Sequence, residues 1–434
     1  MTEAAKHSAE PARTVPAPLP PLPPDVSIER VRDRFDGQDS RDIFAKVVEF
    51  TLIERAQALG VYPFFQPLDN NDGPEAQIHG RRVLMFGSNN YLGLTRHPHV
   101  VEAAREAITR YGTSMTGSRL LNGSILLHEE LEGRIARFLR KDAALVFTTG
   151  YQTNLGTISA LVDKRSVAVV DKLDHASIYD GAQLADGEIL RFKHNDARHL
   201  DTVLARIPQH KAVLVIVDGV YSMGGDIADL PAIVDVCARH GARLFVDDAH
   251  AIGVIGEGGR GTASHFGLED RVDLVMGTFS KSLASIGGFV AGPRKVLEWI
   301  KHFGRSMMFS ASLPPSCTAA ALAALDVIEN EPEIVERLQK LGTLWREGLS
   351  SLGFAVGNSQ TPIVPVQLGD EYTTVVFWRE LLENGVYTNP VIYPAVNMKE
   401  GILRTSCMAT HTEEQIAQAL EVFRDVGRKQ GHIS

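Results

Sequence analysis

The sequence predicts an α/β architecture, with a mostly parallel central sheet covered by helices on both faces, followed by a smaller α+β unit. Three observations predict it. From about residue 98, short runs of Val, Ile and Leu alternate with amphipathic helical segments, the pattern of strands buried on both faces. After about residue 315 the pattern becomes helix-rich, with only short strand-like pieces. The chain has 434 residues, 44% apolar and 22% charged. That composition is ordinary for a globular protein, and the length suits more than one packed unit.

Residues 1–25, "MTEAAKHSAEPARTVPAPLPPLPPD", are rich in proline. Such a segment favours polyproline II over a packed core and reads as a flexible tail. Residues 26–97 form an N-terminal segment. Within it, "RDIFAKVVEFTLIERAQALG" carries apolar residues at helical spacing and stops at Gly60. "YPFFQPL" and "RRVLMFGSNNYLGL" read as extended pieces with a turn.

Residues 98–315 form the large unit. "HPHVVEAAREAITRYG" is helical, with Pro98 at its start, and "LLHEELEGRIARFLR" is a second amphipathic helix. The strands are "AALVFTT", "SVAVVD", "AVLVIVDG", "ARLFVDD", "DLVMGTF" and "GGFVAG". Residues 316–434 form the smaller unit, with helices in "CTAAALAALDVIEN", in "EIVERLQKLGTLWREGLSSLG" and near 412–430. Its strands are "IVPVQLG" and "GILRTSCM".

Composition also excludes some functions. A formal net charge of −9 argues against general nucleic-acid binding, which needs a basic footprint. Cys237, Cys317 and Cys407 are widely spaced with no CxxC pair, so a disulfide framework is not expected. The chain shows no apolar run of membrane-spanning length and no apolar signal core at its N-terminus. These features point to a cytoplasmic protein, with peripheral contact at the inner membrane left open.

Ligands bind at the carboxyl ends of strands in parallel sheets. Those ends carry Gly150 and Tyr151, Asp174 and His175, Asp218 and Ser222, Asp247, Asp248 and His250, and Thr278, Ser280 and Lys281. Taken singly, Lys281 reads as a solvated surface lysine and Asp247 as a helix cap. His175 alone reads as a satisfied histidine, and Tyr151 alone as packing. Their joint placement on one rim suits pyridoxal 5'-phosphate. That cofactor needs an amine, an acid partner for its pyridine nitrogen, and donors for its phosphate. A desolvated lysine such as Lys281 loses part of its preference for charge. Gly150 and Tyr151 stand where a helix begins, so their amides suit a phosphate. No metal is called for.

The same residues lie in a series of specific motifs. "VDDAHAIG" and "GTFSKSLASIGGFVAG", with "GSNNYLGL", "GSRLLNGS", "HEELE", "TTGYQTNLG", "DHASIYDG", "DGVYSMGGDIADL", "FSASLPPS" and "LRTSCMATHT", resemble the α-oxoamine synthases in the same order. These are pyridoxal-phosphate enzymes of the type I aminotransferase-like fold, and the resemblance spans roughly residues 45–430. It implies that Lys281 bonds the cofactor and removes the substrate Cα proton. Asp247 would pair with the pyridine nitrogen, His250 with the phenolic oxygen beside Ser222, and His175 would stack on the ring. Gly150, Tyr151, Thr278 and Ser280 match cofactor or phosphate positions. Ser310 matches a position that reaches the neighbouring subunit's phosphate. Asn90 and Tyr91 match positions near the active site, and Arg404 the arginine that binds the substrate carboxylate, a bidentate task.

The resemblance implies a homodimer with shared sites. The activity it implies is a decarboxylative condensation of L-serine with a long-chain acyl-CoA or acyl carrier protein thioester; sister enzymes use alanine or glycine. Two positions depart from the family pattern. Asp248 stands where glutamate is frequent, and Ser114 where glycine is usual. "GEGGRG" at 256–261 fits a dinucleotide fingerprint but does not join a strand to a long helix. The basic stretch containing Arg294, Lys295, Lys301 and Arg305 reads as a solvated helix face.

Overall fold

The computed structural model describes residues 42–44, 47, 52–393, 395–397 and 399–434. The proline-rich tail and most of the N-terminal helix expected above lie outside them. The helix Leu52–Ala58 is the part described.

Three sheets are present among the described residues. The first contains β1 (Asn70–Asn71), β2 (Glu75–Ile78), β3 (Arg81–Met85) and, from far along the chain, β12 (Val386–Tyr387), which pairs parallel to β3. The central sheet has seven strands: β4 (Ala143–Phe147), β5 (Ser166–Asp171), β6 (Glu188–Phe192), β7 (Ala212–Asp218), β8 (Arg243–Asp247), β9 (Leu274–Thr278) and β10 (Gly288–Gly292), in the order β4-β10-β9-β8-β7-β5-β6. The third is antiparallel and consists of β11 (Ile363–Gly369), β13 (Asn389–Val391) and β14 (Gly401–Ser406).

The central sheet shows why its strands read as unbroken apolar runs. Side chains alternate between two cores, one on each face. Val167 and Val169 of β5 enter one core, while Ala168 and Val170 enter the other. Val215 and Val217 of β7 oppose Leu214 and Ile216 in the same way. A third core, built on Trp345, Phe377 and Phe423, lies under the antiparallel sheet.

The edge strand β6, "EILRF", escaped the sequence reading because its burial is graded and two of its residues are charged. The segment "YPFFQPL" contains bends and no strand; two prolines leave it no ladder to join. β10 runs antiparallel to both β4 and β9, so it is the reversed member of an otherwise parallel sheet.

The six parallel strands β4, β5, β6, β7, β8 and β9 point their carboxyl ends to one rim. The chain leaves β4 at one edge, crosses through the helix Gly150–Leu161, and enters β5 near the other edge. That crossover lays the start of the helix over the rim, the place where an α/β sheet binds ligands.

Candidate active site

A cavity of about 340 Å³ opens on this rim. Its lining includes Gly150, Tyr151, His175, Asp247, His250, Thr278, Ser280 and Lys281, eight of the residues singled out from sequence.

Lys281 is held by a tight turn that follows β9. Thr278 Oγ1 donates to the Gly287 carbonyl (2.8 Å) and bonds Ser280 Oγ (2.8 Å). The amide of Phe279 also bonds the Gly287 carbonyl, and Ala284 N bonds the Lys281 carbonyl. Phe279 is fully buried and stacks on Phe289. Gly287 has φ of +126°, and a Cβ there would lie 2.6 Å from the Phe279 ring, so the turn closes only with glycine. The consequence is an amine aimed into the cavity. Burial lowers its pKa to about 8, with Asp247 opposing and Arg404 assisting.

Asp247 ends β8 and is 4% exposed. Its Oδ2 accepts from Asn154 Nδ2 (2.7 Å) and its Oδ1 from the Ala249 amide (3.0 Å). These donors hold a carboxylate in place and leave it lone pairs for a protonated ring nitrogen. Asp248, next in sequence, turns the other way and accepts from Thr262 N at 2.9 Å. Burial pushes its carboxyl up to about 7. The Asp248 departure therefore falls outside the cavity lining.

His175 caps the helix Ala176–Gln183, with its Nδ1 2.7 Å from Ser177 Oγ. One side of the ring faces the cavity. Desolvation of its packed side keeps it below the ordinary histidine range, with Asp247 opposing and Lys281 assisting. His250 is buried and held further below that range, by burial first and then by Lys281 and Arg404. Both imidazoles are thus neutral acceptors or donors at neutral pH.

The helix Gly150–Leu161 begins at the rim with Thr149 as N-cap, its side chain accepting from Gln152 N. A Cβ at Gly150 would stand 2.9 Å from Thr278 Oγ1. The glycine lets the first helical turn approach β9, bringing its free amides beside the Thr278 and Ser280 hydroxyls. Such an arrangement of helix-start amides and hydroxyls suits a phosphate. Tyr151 lines the cavity edge, and its hydroxyl donates to Asp180.

The remaining sequence candidates lie outside the cavity lining. Arg404 on β14 is 5% exposed. Its Nε donates to the Ser222 carbonyl (2.6 Å) and an Nη to the Tyr91 hydroxyl (3.1 Å). That hydroxyl lies 2.7 Å from His250 Nδ1. Ser222 thus meets Arg404 through its backbone oxygen. Asn90 is buried and donates to Thr95 Oγ1 at 2.9 Å. Ser310 Oγ accepts from Gln152 Nε2 at 3.2 Å.

Sequence reasoning missed Asn154 and Ser177. Asn154 lies four residues after Gly150 and so on the same helical face, which was the available signal. It also donates to Ser177 Oγ at 2.8 Å, tying the Asp247 carboxylate to the helix cap under His175.

The residues fit pyridoxal phosphate: a buried amine of lowered pKa, a braced carboxylate and a glycine-opened helix start share one cavity. The chain belongs to the aminotransferase class I and II family, whose model matches residues 81–423, and within it to the α-oxoamine synthases. It is 46% identical over 376 residues to a serine palmitoyltransferase of Sphingobacterium spiritivorum, covering 87% of this chain and 94% of that protein. It is 41% identical over 378 residues to an 8-amino-7-oxononanoate synthase of Thermoanaerobacter pseudethanolicus, covering 87% and 96%. A serine palmitoyltransferase variant from S. paucimobilis, solved with PLP and myriocin bound, superposes with a TM-score of 0.87. It is 38% identical, and the match covers 91% of this chain and 100% of that one.

Proposed function

We propose that this chain is a PLP-dependent serine C-palmitoyltransferase. It condenses L-serine with a long-chain acyl-CoA, releasing coenzyme A and carbon dioxide and giving 3-ketosphinganine, the entry to sphingolipid synthesis. The observation that carries the enzyme class is the Lys281 amine, buried enough to lower its pKa to about 8, in one cavity with the braced Asp247 carboxylate. The serine palmitoyltransferase relatives support the choice of serine.

PLP bound there supplies an electrophilic carbon for the Lys281 amine and a pyridinium that draws electrons from the substrate Cα. The chain's own groups do the rest. Asp247 keeps the ring nitrogen protonated, and Asn154 keeps Asp247 in place. Lys281 would take the substrate Cα proton at Nζ and return one later. Gly150, Tyr151, Thr278 and Ser280 would hold the phosphate, and Ser310 would serve the partner's. His175 would pack on the ring, and His250 with Ser222 would serve its phenolic oxygen.

Arg404 takes the substrate carboxylate beside Asn90 and Tyr91. Two of its five N–H donors are already used on Ser222 and Tyr91, so its plane is set before serine arrives. Holding the carboxylate at a chosen angle to the ring selects which bond at Cα breaks.

The reading carries a homodimer with sites at the subunit interface. It divides the chain into a tail (1–25), an N-terminal segment (26–97), a large unit (98–315) and a small unit (316–434). It also carries a cytoplasmic location, with peripheral contact at the inner membrane left open. No described helix is long and apolar enough to cross a membrane.

A second reading rests on the 8-amino-7-oxononanoate synthase relatives at 41–42% identity. It would make alanine the amino acid; the glycine C-acetyltransferase alternative would use glycine. A panel of serine, alanine and glycine against palmitoyl-CoA and shorter thioesters, read by product mass, decides. Serine with palmitoyl-CoA is expected to turn over fastest, and no serine turnover rejects the proposal.

A further inference from the structure

A second cluster of ionisable groups lies away from the cavity, at the carboxyl ends of β5 and β6. His194 sits between two carboxylates. Its Nδ1 is 3.1 Å from Asp171 Oδ1 and its Nε2 3.0 Å from Asp226 Oδ2. A neutral imidazole has one N–H, so bonding to both carboxylates calls for the doubly protonated ring. Asp171 is fully buried. Its Oδ1 also accepts from Leu173 N, and its Oδ2 accepts from Asn195 N and from the Tyr221 hydroxyl. The Tyr221 ring meets His194 edge-on, with centroids 4.4 Å apart.

Tyr221 and Asp226 are the two ends of one hairpin loop. Tyr221 N bonds the Asp226 carbonyl, Gly225 N bonds the Tyr221 carbonyl, and Val220 bridges Ile227. Asn195 adds two bonds to the same loop, from its Nδ2 to the Ile227 carbonyl and from Asp229 N to its Oδ1. Ser222 lies at the tip. Its carbonyl is the acceptor for Arg404 Nε.

We propose that His194 is a positioning residue: its cation, clamped between Asp171 and Asp226, fixes the Val220–Ile227 loop so that the Ser222 carbonyl sets the Arg404 guanidinium for the amino-acid carboxylate. The Arg404 end of this chain rests on the function proposed above; the clamp itself does not.

The clamp is pH-dependent. Burial disfavours charge on His194, but the bonds to Asp171 and Asp226 outweigh it and raise the pKa to about 9. The cation therefore persists through neutral pH, and the clamp is lost as pH rises through about 9. Tyr221 from the loop also faces the ring. His265 and Asp229 line the open side with it, and His199, in the helix that follows, bonds Lys193 N.

The test uses His194→Gln and Asp226→Asn holoenzymes, the second guarding against a folding failure in the first. Binding of L-serine and of L-serine methyl ester is read from the visible absorption of the cofactor, and amide exchange over residues 219–228 by mass spectrometry. Both variants are expected to bind L-serine about tenfold more weakly, to bind the ester as wild type does, and to exchange the loop faster. The wild type is expected to lose serine affinity above about pH 9, and His194→Gln to lack that step. Unchanged serine affinity with unchanged exchange overturns the clamp, and so does an equal loss for serine and ester. If the wild type binds no amino acid, the proposed function fails, and the exchange result alone decides the clamp.

Discussion

The floor and the wall of the site are built by different rules. The floor, with Lys281, Asp247, His175 and the Gly150 amides, stands at the ends of parallel strands whose last residues are buried. Each residue is carried by its own strand or by the few residues that follow it, with Asn154 as a longer-range brace on Asp247. The wall, with Arg404, Tyr91 and His250, is assembled from segments far apart in sequence. Arg404 reaches Ser222 across 182 residues and Tyr91 across 313. Local rules position chemistry rigidly on the floor. The wall depends on hydrogen bonds between separate elements, so it is the part that substrate choice and pH can tune.

The sharpest way to break that comparison is to remove the floor's amine. Lys281→Ala should lower turnover on the order of 10³-fold or more, since it deletes both the nucleophile and the base. Its melting temperature should be little changed, because the turn around it rests on Thr278, Phe279 and Gly287. A variant that retained turnover would end the assignment.

A change in the wall should act differently. Arg404→Lys keeps the charge and loses the fork. The KM for serine is expected to rise about 10- to 100-fold, with the KM for the thioester nearly unchanged. A fall in kcat alone, with KM intact, would contradict a binding role.

Asn154→Ala should have a smaller effect. It removes one bond to Asp247 while leaving the Ala249 amide, so turnover should fall about three- to tenfold. The cofactor absorption band should shift as the ring nitrogen loses its braced partner. An unshifted band would show that the carboxylate needs no brace.

The mildest perturbation is pH. The Lys281 amine has its pKa lowered to about 8, and only the neutral form attacks a carbonyl. Capture of PLP by the cofactor-free protein should therefore speed up with pH, with a midpoint near 8 and a plateau above. A midpoint near the ordinary lysine value of about 10.4 would mean that burial does not tune the amine.

The same contrast governs what the sequence made legible. The unbroken apolar runs of β5, β7, β8 and β9 announced buried parallel strands, and strand-end geometry pointed to Asp247 and Lys281. The edge strand β6 carries no such run. Arg404 had no local signature, and it was found through the resemblance of "LRTSCMATHT" alone. Asn154 was hidden because a polar residue on a helix face is usually solvated, and only the packed structure puts it against Asp247. His194 was hidden for the same reason. Its role exists only once the ends of β5 and β6 meet the 220–227 loop, and no spacing within one segment encodes that meeting.

The proposed function depends on a bond between PLP and one particular amine. Borohydride reduction of the protein as purified, followed by digestion and mass spectrometry, measures it directly. The reduced cofactor is expected to stay attached to the peptide bearing Lys281, at its Nζ. An unmodified Lys281 peptide, with the cofactor released or attached elsewhere, would contradict it.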